Sequence, residues 1–541
     1  MKDMKKRKII VVLAIIIAIY TIGLVKKDFQ NDTFFNISIG KYILEHGIDM
    51  KEHFAYTDGL SYTYSHWAFD IVCYKMYDWF GFPGLYGMTI ILAIITNVAV
   101  FVFSSKRCKS PVAAFIITIM MCTTVYEAYA ARSQIISFMC FIAEIYCIEE
   151  FIETRKIKYG LYTCICAVIV ANFHAASWPL LLVLMLPYLA SAFLNLISRK
   201  NIYQMCANYS KRKLEKKNLS DEKKKKYEED YNDYTRFANE VKPPRFSRII
   251  TKKSYYGIGL VVLLIVVSIT GLITPIKDVP YTYIIKSMVG KSNFENGEKS
   301  IEFISEMSAL VPIVNTSFIV FTILFIAIFG FLPVKIKEEH GFLLAGLYMM
   351  SLISVRYIYI LGFLSIYVLS DMLSQAFEMF IKDDIEKLQD ILLKKVVILV
   401  LVVVTSIYSF SKFQEKWNID YVDEKRYPIG VVEYIKKKLD YNNIRIYNGY
   451  DFGSYLMLNN IPVFIDSRLD VYCSEFNDTD IFRDFIYVQF GKKNYDEIFE
   501  KYDFSHIILK NDSIVNQYLS KDYNYRIIYQ DDNFSLYERR I

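Results

Sequence analysis

Apolar runs separated by short polar segments dominate the first 410 residues. They cover positions 9–25, 85–103, 111–126, 135–151, 161–171, 178–197, 256–273, 309–332, 342–354, 357–373 and 395–408. A helix needs ~20 apolar residues to cross a bilayer, and most of these runs approach that length. The pattern predicts a polytopic α-helical membrane protein with about eleven transmembrane helices. The first run is too long for a signal peptide and lacks a small-residue cleavage site, so it reads as a retained helix.

Between and after the runs, other elements are predicted. Residues 26–84 form a first outer loop with a short helix stopped by Gly47, a turn at Tyr56-Thr57-Asp58-Gly59 and an interfacial helix over 67–80, rich in Trp and Tyr. Residues 199–254 form a basic insert, with Lys223 to Lys226 in succession, read as a solvated helical hairpin or a partly disordered segment. Residues 375–394 read as an amphipathic segment. From 411 the chain turns polar and alternates helical pieces (430–439, 453–458, 495–502) with extended ones (444–447, 463–465, 506–509). It ends in a hairpin around Asp531-Asp532-Asn533. This divides the chain into a membrane domain, 1–410, and a compact α/β domain, 411–541.

Charge supplies orientation. Lys2, Lys5, Lys6, Arg7 and Lys8 precede the first run, which places the N-terminus in the cytoplasm. Basic clusters recur at Lys106-Arg107, Arg155-Lys156 and Lys335, always at ends assigned inward, and the same parity puts 411–541 outside the cytoplasm. The net charge of +6 bears on topology and anionic lipid, not on nucleic acid. The nine cysteines sit mostly in apolar runs and give no disulfide framework or zinc spacing. No glycine-rich phosphate loop and no internal repeat emerge, so neither nucleotide binding nor an inverted-repeat transporter gains support.

Polar residues gather at the ends assigned outward: Asp32 after the first run, Arg132 and Gln134 before the fourth, Asn172 and His174 after the fifth, Glu302 and Glu306 in a later loop, and Arg356 between two runs. Polar groups at membrane depth are costly and mark functional sites. A carboxylate that deprotonates a hydroxyl, arginines that hold a phosphate and a histidine that positions it are the parts needed for glycosyl transfer from a lipid-phosphate sugar. Each also has a structural alternative. Asp32 suits a solvated loop, Arg132 a headgroup anchor, Asn172 and His174 helix pairing, and His66 an interfacial pair with Trp67. Asp58 and Asp70 suit structural roles, and Asp466 with Arg468 suits an internal ion pair.

The order of several short motifs resembles a bacterial group of GT-C-type integral membrane glycosyltransferases. They are Asp32-Thr33-Phe34-Phe35, the stretch 39–47, Glu52-His53-Phe54-Ala55-Tyr56-Thr57 and His66-Trp67-Ala68-Phe69-Asp70. Arg132-Ser133-Gln134, Asn172-Phe173-His174, Thr274-Pro275, Ile304-Ser305-Glu306 and Arg356 follow, then the stretch 448–456 and Phe464-Ile465-Asp466-Ser467-Arg468. The pattern departs from the group at Phe34, Phe35, Asn36, His66 and Ala175. The resemblance implies a polyprenyl-phosphate-linked sugar donor, a glycan or protein acceptor of the cell envelope, an outward-facing cavity in a multi-pass cell-membrane protein, and Asp32 as the base. With it, Arg132, Arg356, His174 and Asn172 become the donor-phosphate set, and Gln134, Glu306, His66 and Asp70 further cavity candidates. No cofactor and no metal ligand set is expected. The other reading is a non-catalytic membrane protein for transport, scaffolding or recognition of cell-envelope polymers.

Overall fold

The computed structural model describes residues 2–197, 199–215, 221–240, 249–250, 257–307, 309–311, 315–441 and 443–540. Helix α1 (Lys2–Leu24) leads through a short turn into α2 (Asn31–His46). Gly47 ends α2 by taking φ +85°, and its N–H donates to the Ile43 carbonyl at 2.8 Å. That backbone conformation favours glycine. Helix α3 (Trp67–Arg107) joins the predicted interfacial helix to the following span. The two parts meet at a break where Gly81 has φ +62° and Pro83 follows, so the kink has its cause in the sequence.

The series continues with α4 (Pro111–Thr124), α5 (Gln134–Thr154), α6 (Ile157–Phe173) and α7 (Trp178–Ile197). In the basic insert, α8 (Arg199–Leu214) packs beside α9 (Asp221–Glu240), and the rings of Tyr203 and Phe237 meet at 5.5 Å. Two short strands, β1 (Ile249–Ile250) and β2 (Ile336–Lys337), pair in parallel. Then come α10 (Gly257–Thr270), α11 (Val279–Val289), α12 (Thr316–Phe325), α13 (Glu338–Ile353), α14 (Tyr357–Phe380), α15 (Lys382–Leu392) and α16 (Lys395–Glu415). The predicted amphipathic segment is thereby divided: residues 375–380 complete α14, and α15 carries the rest.

Among the described residues five helices, not about eleven, are both long and apolar enough to cross a membrane: Met4–Leu24, Trp67–Arg107, Ala175–Leu194, Tyr357–Phe380 and Lys395–Glu415. Among the described residues the other apolar runs also carry helices, but five of these, α4, α6, α10, α12 and α13, stop short. A 14-residue helix such as α4 is about 21 Å long against a hydrocarbon core of about 30 Å. Helix α5 is 21 residues long but carries Glu144, Glu149, Glu150 and Glu153. Helix α16 shows the opposite character. Val396, Leu399, Val403 and Ile407 are exposed along it, a face suited to hydrocarbon rather than water.

The helices run between two polar ends. At one, buried Glu149 of α5 meets His340, Lys337 at 3.2 Å and Tyr188 at 3.4 Å, while Arg107 pairs with Glu150 at 3.2 Å and with Glu153. Lys5 and Lys109 belong to this same end, through Asp390 and Glu378. At the other end lie the starts of α2, α5 and α14 and the close of α6.

The C-terminal region covers that second end. Helices α17 (Ile429–Lys438) and α18 (Gly453–Leu458) accompany a four-stranded mixed sheet. Strand β3 (Ile446–Tyr447) runs parallel to β4 (His506–Lys510), and β5 (Tyr525–Gln530) and β6 (Phe534–Arg539) form the predicted hairpin. The order is β3-β4-β6-β5, with Ile508 opposite Leu536. Residues 463–465 do not join the sheet. The first loop takes their backbone instead: Tyr56 N–H donates to the Val463 carbonyl at 3.2 Å, and Val463 N–H to Phe54 at 3.1 Å.

An ion-pair cluster holds this seam. Arg468 meets Glu52 at 2.5 Å and Asp466 at 2.6 Å, with all three side chains almost fully buried. Tyr472 donates to Asp466 at 2.6 Å, and the guanidinium lies over the rings of Phe54 and Tyr62. Glu52 also accepts from the Phe54 and Ala55 N–H groups, at 2.6 and 2.8 Å. Hydrogen bonds of this number are what make a buried ion pair tolerable.

Candidate functional site

A cavity of about 630 Å³ opens where the helix ends meet the C-terminal region. Asp32, Arg132, Gln134, His66, His174 and Arg356 all line it. They come from positions as far apart in the chain as 32 and 356, carried by five segments.

Asp32 sits in the first turn of α2, where the helix N-terminus favours a negative charge. Its Oδ2 lies 2.5 Å from Nη2 of Arg132, which stands in the turn before α5. Arg132 Nη1 also donates to Gln30 Oε1 at 3.1 Å. The guanidinium therefore fixes the orientation of the Asp32 carboxylate. Arg356 precedes the first residue of α14 and lines another part of the wall.

The two histidines are neighbours, with ring centroids 5.2 Å apart. His174 Nδ1 lies 2.8 Å from the Ser137 hydroxyl and 2.9 Å from that of Ser177. The Ala175 N–H donates to the Ser65 carbonyl at 2.9 Å, which ties the His174 turn to the His66 turn. Burial lowers the pKa of His66 to about 3, and Arg132 and Arg356 add to the effect. Burial likewise holds His174 well below the ordinary histidine range, with His66, Arg356 and Arg132 contributing. Both rings are neutral at physiological pH, so His174 offers a hydrogen bond and not a cationic charge or an acidic proton.

Three residues proposed for the site are placed elsewhere or not described. Asn172 lies on the last turn of α6, and its amide donates to the Val168 and Ile273 carbonyls, each at 2.8 Å. It ties α6 to the segment after α10 and does not line the cavity. Asp70 is fully buried in the first turns of α3 where they cross α2, behind the cavity wall. Glu306 belongs to the turn Ser305–Met307, and its side chain lies outside the described residues. Glu302 is exposed and does not line the cavity.

The C-terminal region adds Tyr450, Asp451, Ser467 and Asp470 to the lining. Asn31 reaches it directly, donating to the Tyr450 carbonyl at 2.8 Å. Asp470 accepts from the Thr63 hydroxyl at 2.5 Å, and burial raises its pKa. Arg468 contributes to the wall, but its charge is committed to Glu52 and Asp466. The lining also includes the apolar side chains of Phe138, Phe141, Leu180 and Ile360, and it reaches Met288 and Ile353, which are exposed. Sequence reasoning missed Gln30, Ser137, Ser177 and Tyr283. Only the nearness of Gln30 to Asp32 and of Ser177 to His174 in the chain signalled any of them.

The cavity thus joins an oriented carboxylate and a second arginine to apolar side chains, some of them exposed. Among the described residues, no three His, Cys, Asp or Glu side chains gather as a metal site requires. No family model matches the chain, and no curated protein matches it.

Proposed function

We propose that this protein is a membrane glycosyltransferase of GT-C type that moves a sugar from a polyprenyl-phosphate donor to a cell-envelope acceptor. The observation that carries the reading is the cavity in which Asp32, Arg132, His174 and Arg356 meet, lined by polar and apolar side chains together. In this reading the cavity faces away from the cytoplasm and the basic end of the bundle faces it, as the positive-inside rule requires.

Asp32 takes the proton of the acceptor hydroxyl as its oxygen bonds to the sugar's anomeric carbon. The bond from that carbon to the phosphate oxygen breaks, and its electron pair leaves with the polyprenyl phosphate. Arg356 balances the charge that develops there, while Arg132 holds the Asp32 carboxylate aimed. Neutral His174 contributes a hydrogen bond. The apolar side chains take the first isoprene units, and the C-terminal region supplies the acceptor side through Tyr450, Asp451 and Asp470.

Sugar transfer from a labelled polyprenyl-phosphate donor to cell-envelope material tests the reading. Wild-type protein transfers label and Asp32→Asn does not. Equal transfer by both removes Asp32 from the reaction. Donor binding without transfer by the wild type favours the non-catalytic alternative. Reporter fusions at Ser210 and at the C-terminus test the sidedness, with opposite signals expected.

A further inference from the structure

We propose that a crevice at the basic end of the bundle binds the phosphate of an anionic membrane phospholipid. The crevice has a volume of about 250 Å³ and lies between the start of α1, the turn before α4, the end of α14 and the start of α15. Lys5, Lys6, Lys109 and Lys382 stand on its walls. Two of these are already matched: Lys5 pairs with Asp390 at 2.7 Å, and Lys109 pairs with Glu378. Lys6 donates to the Cys108 carbonyl at 2.7 Å, and neither it nor Lys382 has an ion-pair partner among the described residues. Glu386 is the remaining acidic group on the wall, so the crevice keeps a net positive charge.

A second observation points to an anion. Ser110 occupies the N-cap position of α4, but its side chain caps no N–H group of the helix. It is 6% exposed, lines the crevice, and its hydroxyl oxygen has no hydrogen-bond partner among the described residues. The Ser110 backbone N–H is used by the Ser374 hydroxyl, at 2.7 Å. The crevice therefore meets an unused buried hydroxyl; the first helical residue, Pro111, has no N–H to offer, so the hydroxyl is the donor at this wall. Two ammonium groups without an ion-pair partner and that hydroxyl fit a phosphate oxyanion.

The surroundings identify the source as lipid. Helix α15 buries Ile385 against the crevice and leaves Leu388 and Ile391 exposed, and Phe380 and Ile381 are exposed just before it. Helix α15 carries Lys382 and Lys387 but also Asp383, Asp384, Glu386 and Asp390, so its apolar stripe, not its own charge, places it in the headgroup boundary of a bilayer. The volume accommodates a phosphodiester and leaves the acyl chains outside, against that stripe. Basic pockets between membrane helices are general receptors for anionic headgroups. The site is at the opposite end of the bundle from the Asp32 cavity and stands whether or not sugar transfer is the activity.

Native mass spectrometry of the full-length protein with added phosphatidylglycerol or phosphatidylcholine tests it. Phosphatidylglycerol is retained in preference, and Lys6→Gln with Lys382→Gln lowers its retention roughly tenfold or more, from ~1 kcal/mol per lysine. Arg7→Gln with Lys8→Gln, which removes two exposed charges next to the crevice, leaves retention unchanged. Glu386→Gln raises it, a gain that no misfolded variant would give. Equal retention of the two lipids, or equal loss from the Arg7 and Lys8 pair, overturns the site. Displacement by millimolar inorganic phosphate overturns the lipid as its occupant.

Discussion

The Asp32 carboxylate and the Arg132 guanidinium meet at 2.5 Å, joining the first turn of α2 to the turn before α5. Their side chains are 25% and 15% exposed, so the pair is neither fully solvated nor sealed. Such a pair holds its carboxylate in one direction while leaving it within reach of a substrate. Asp32→Asn is expected to lower sugar transfer by roughly 10²-fold or more, the usual worth of a positioned base. Arg132→Gln should lower it as well, by releasing the carboxylate. Because the residues act as one unit, the double variant should be little worse than Asp32→Asn, and a double-mutant cycle on transfer rates measures this. Additive losses would separate the two roles and return Arg132 to the phosphate.

Glu52 and Arg468 bind the first loop to the C-terminal region. Both are almost completely buried, and Arg468 also holds Asp466. Glu52→Gln leaves part of a buried cationic charge uncompensated, which costs roughly 3–5 kcal/mol. The expected result is a lower unfolding temperature and faster protease cleavage within residues 47–66, while the helices stay protected. Unchanged cleavage would mean that the backbone bonds between Phe54, Tyr56 and Val463 hold the seam without the ion pair.

Gly40 sets the distance between α2 and α3. A Cβ placed there would lie 2.0 Å from the Asp70 carbonyl oxygen, a backbone atom that cannot turn away. Gly40→Ala must push the two helices apart, at a cost of roughly 1–3 kcal/mol or more. The same shift carries Asp32, two turns earlier on α2, out of register with Arg132. Loss of stability and transfer together is expected, measured by thermal unfolding in detergent and by the donor assay. Gly87→Ala, at a helical position of α3 with no atom within 4 Å of the new Cβ, should keep transfer.

Much of this arrangement was legible in the sequence, because the end of an apolar run also marks one end of the bundle. Asp32, Arg132, His174 and Arg356 are separated widely in the chain, yet each adjoins such an end, and one cavity receives all four. What the runs did not encode was direction around a helix. Asn172 and His174 are two residues apart, but α6 ends between them, and the non-helical backbone at His174 (φ −159°, ψ 68°) turns its ring into the cavity. Asn172, still helical, points to the Ile273 carbonyl. Asp70 was likewise placed at the right end but on the face that α2 covers. Span number was overestimated for a related reason. Hydropathy registers apolar residues, whereas crossing also needs length, and charges within α5 or a helix as short as α4 reduce the count.

His66 and His174 make the fold sensitive to acid in a defined direction. Burial and the nearby arginines lower the pKa of His66 to about 3, and burial with His66 and the arginines holds that of His174 well below the usual value. In the unfolded chain each imidazole takes up its proton near pH 6.5. Below that pH the unfolded state binds protons that the folded state refuses, so folded stability declines as pH drops from about 6.5 toward 3. The slope is up to about 1.4 kcal/mol per pH unit for each imidazole, and less for His66, which is partly open to the cavity and screened there. The unfolding temperature of the detergent-solubilised protein should fall between pH 7 and pH 5. The fall should be smaller in His66→Gln with His174→Gln, whatever that variant's stability at pH 7. A wild-type unfolding temperature that rises on acidification would mean that the fold prefers an imidazolium at this site, and His174 would then act on the donor phosphate as a cation.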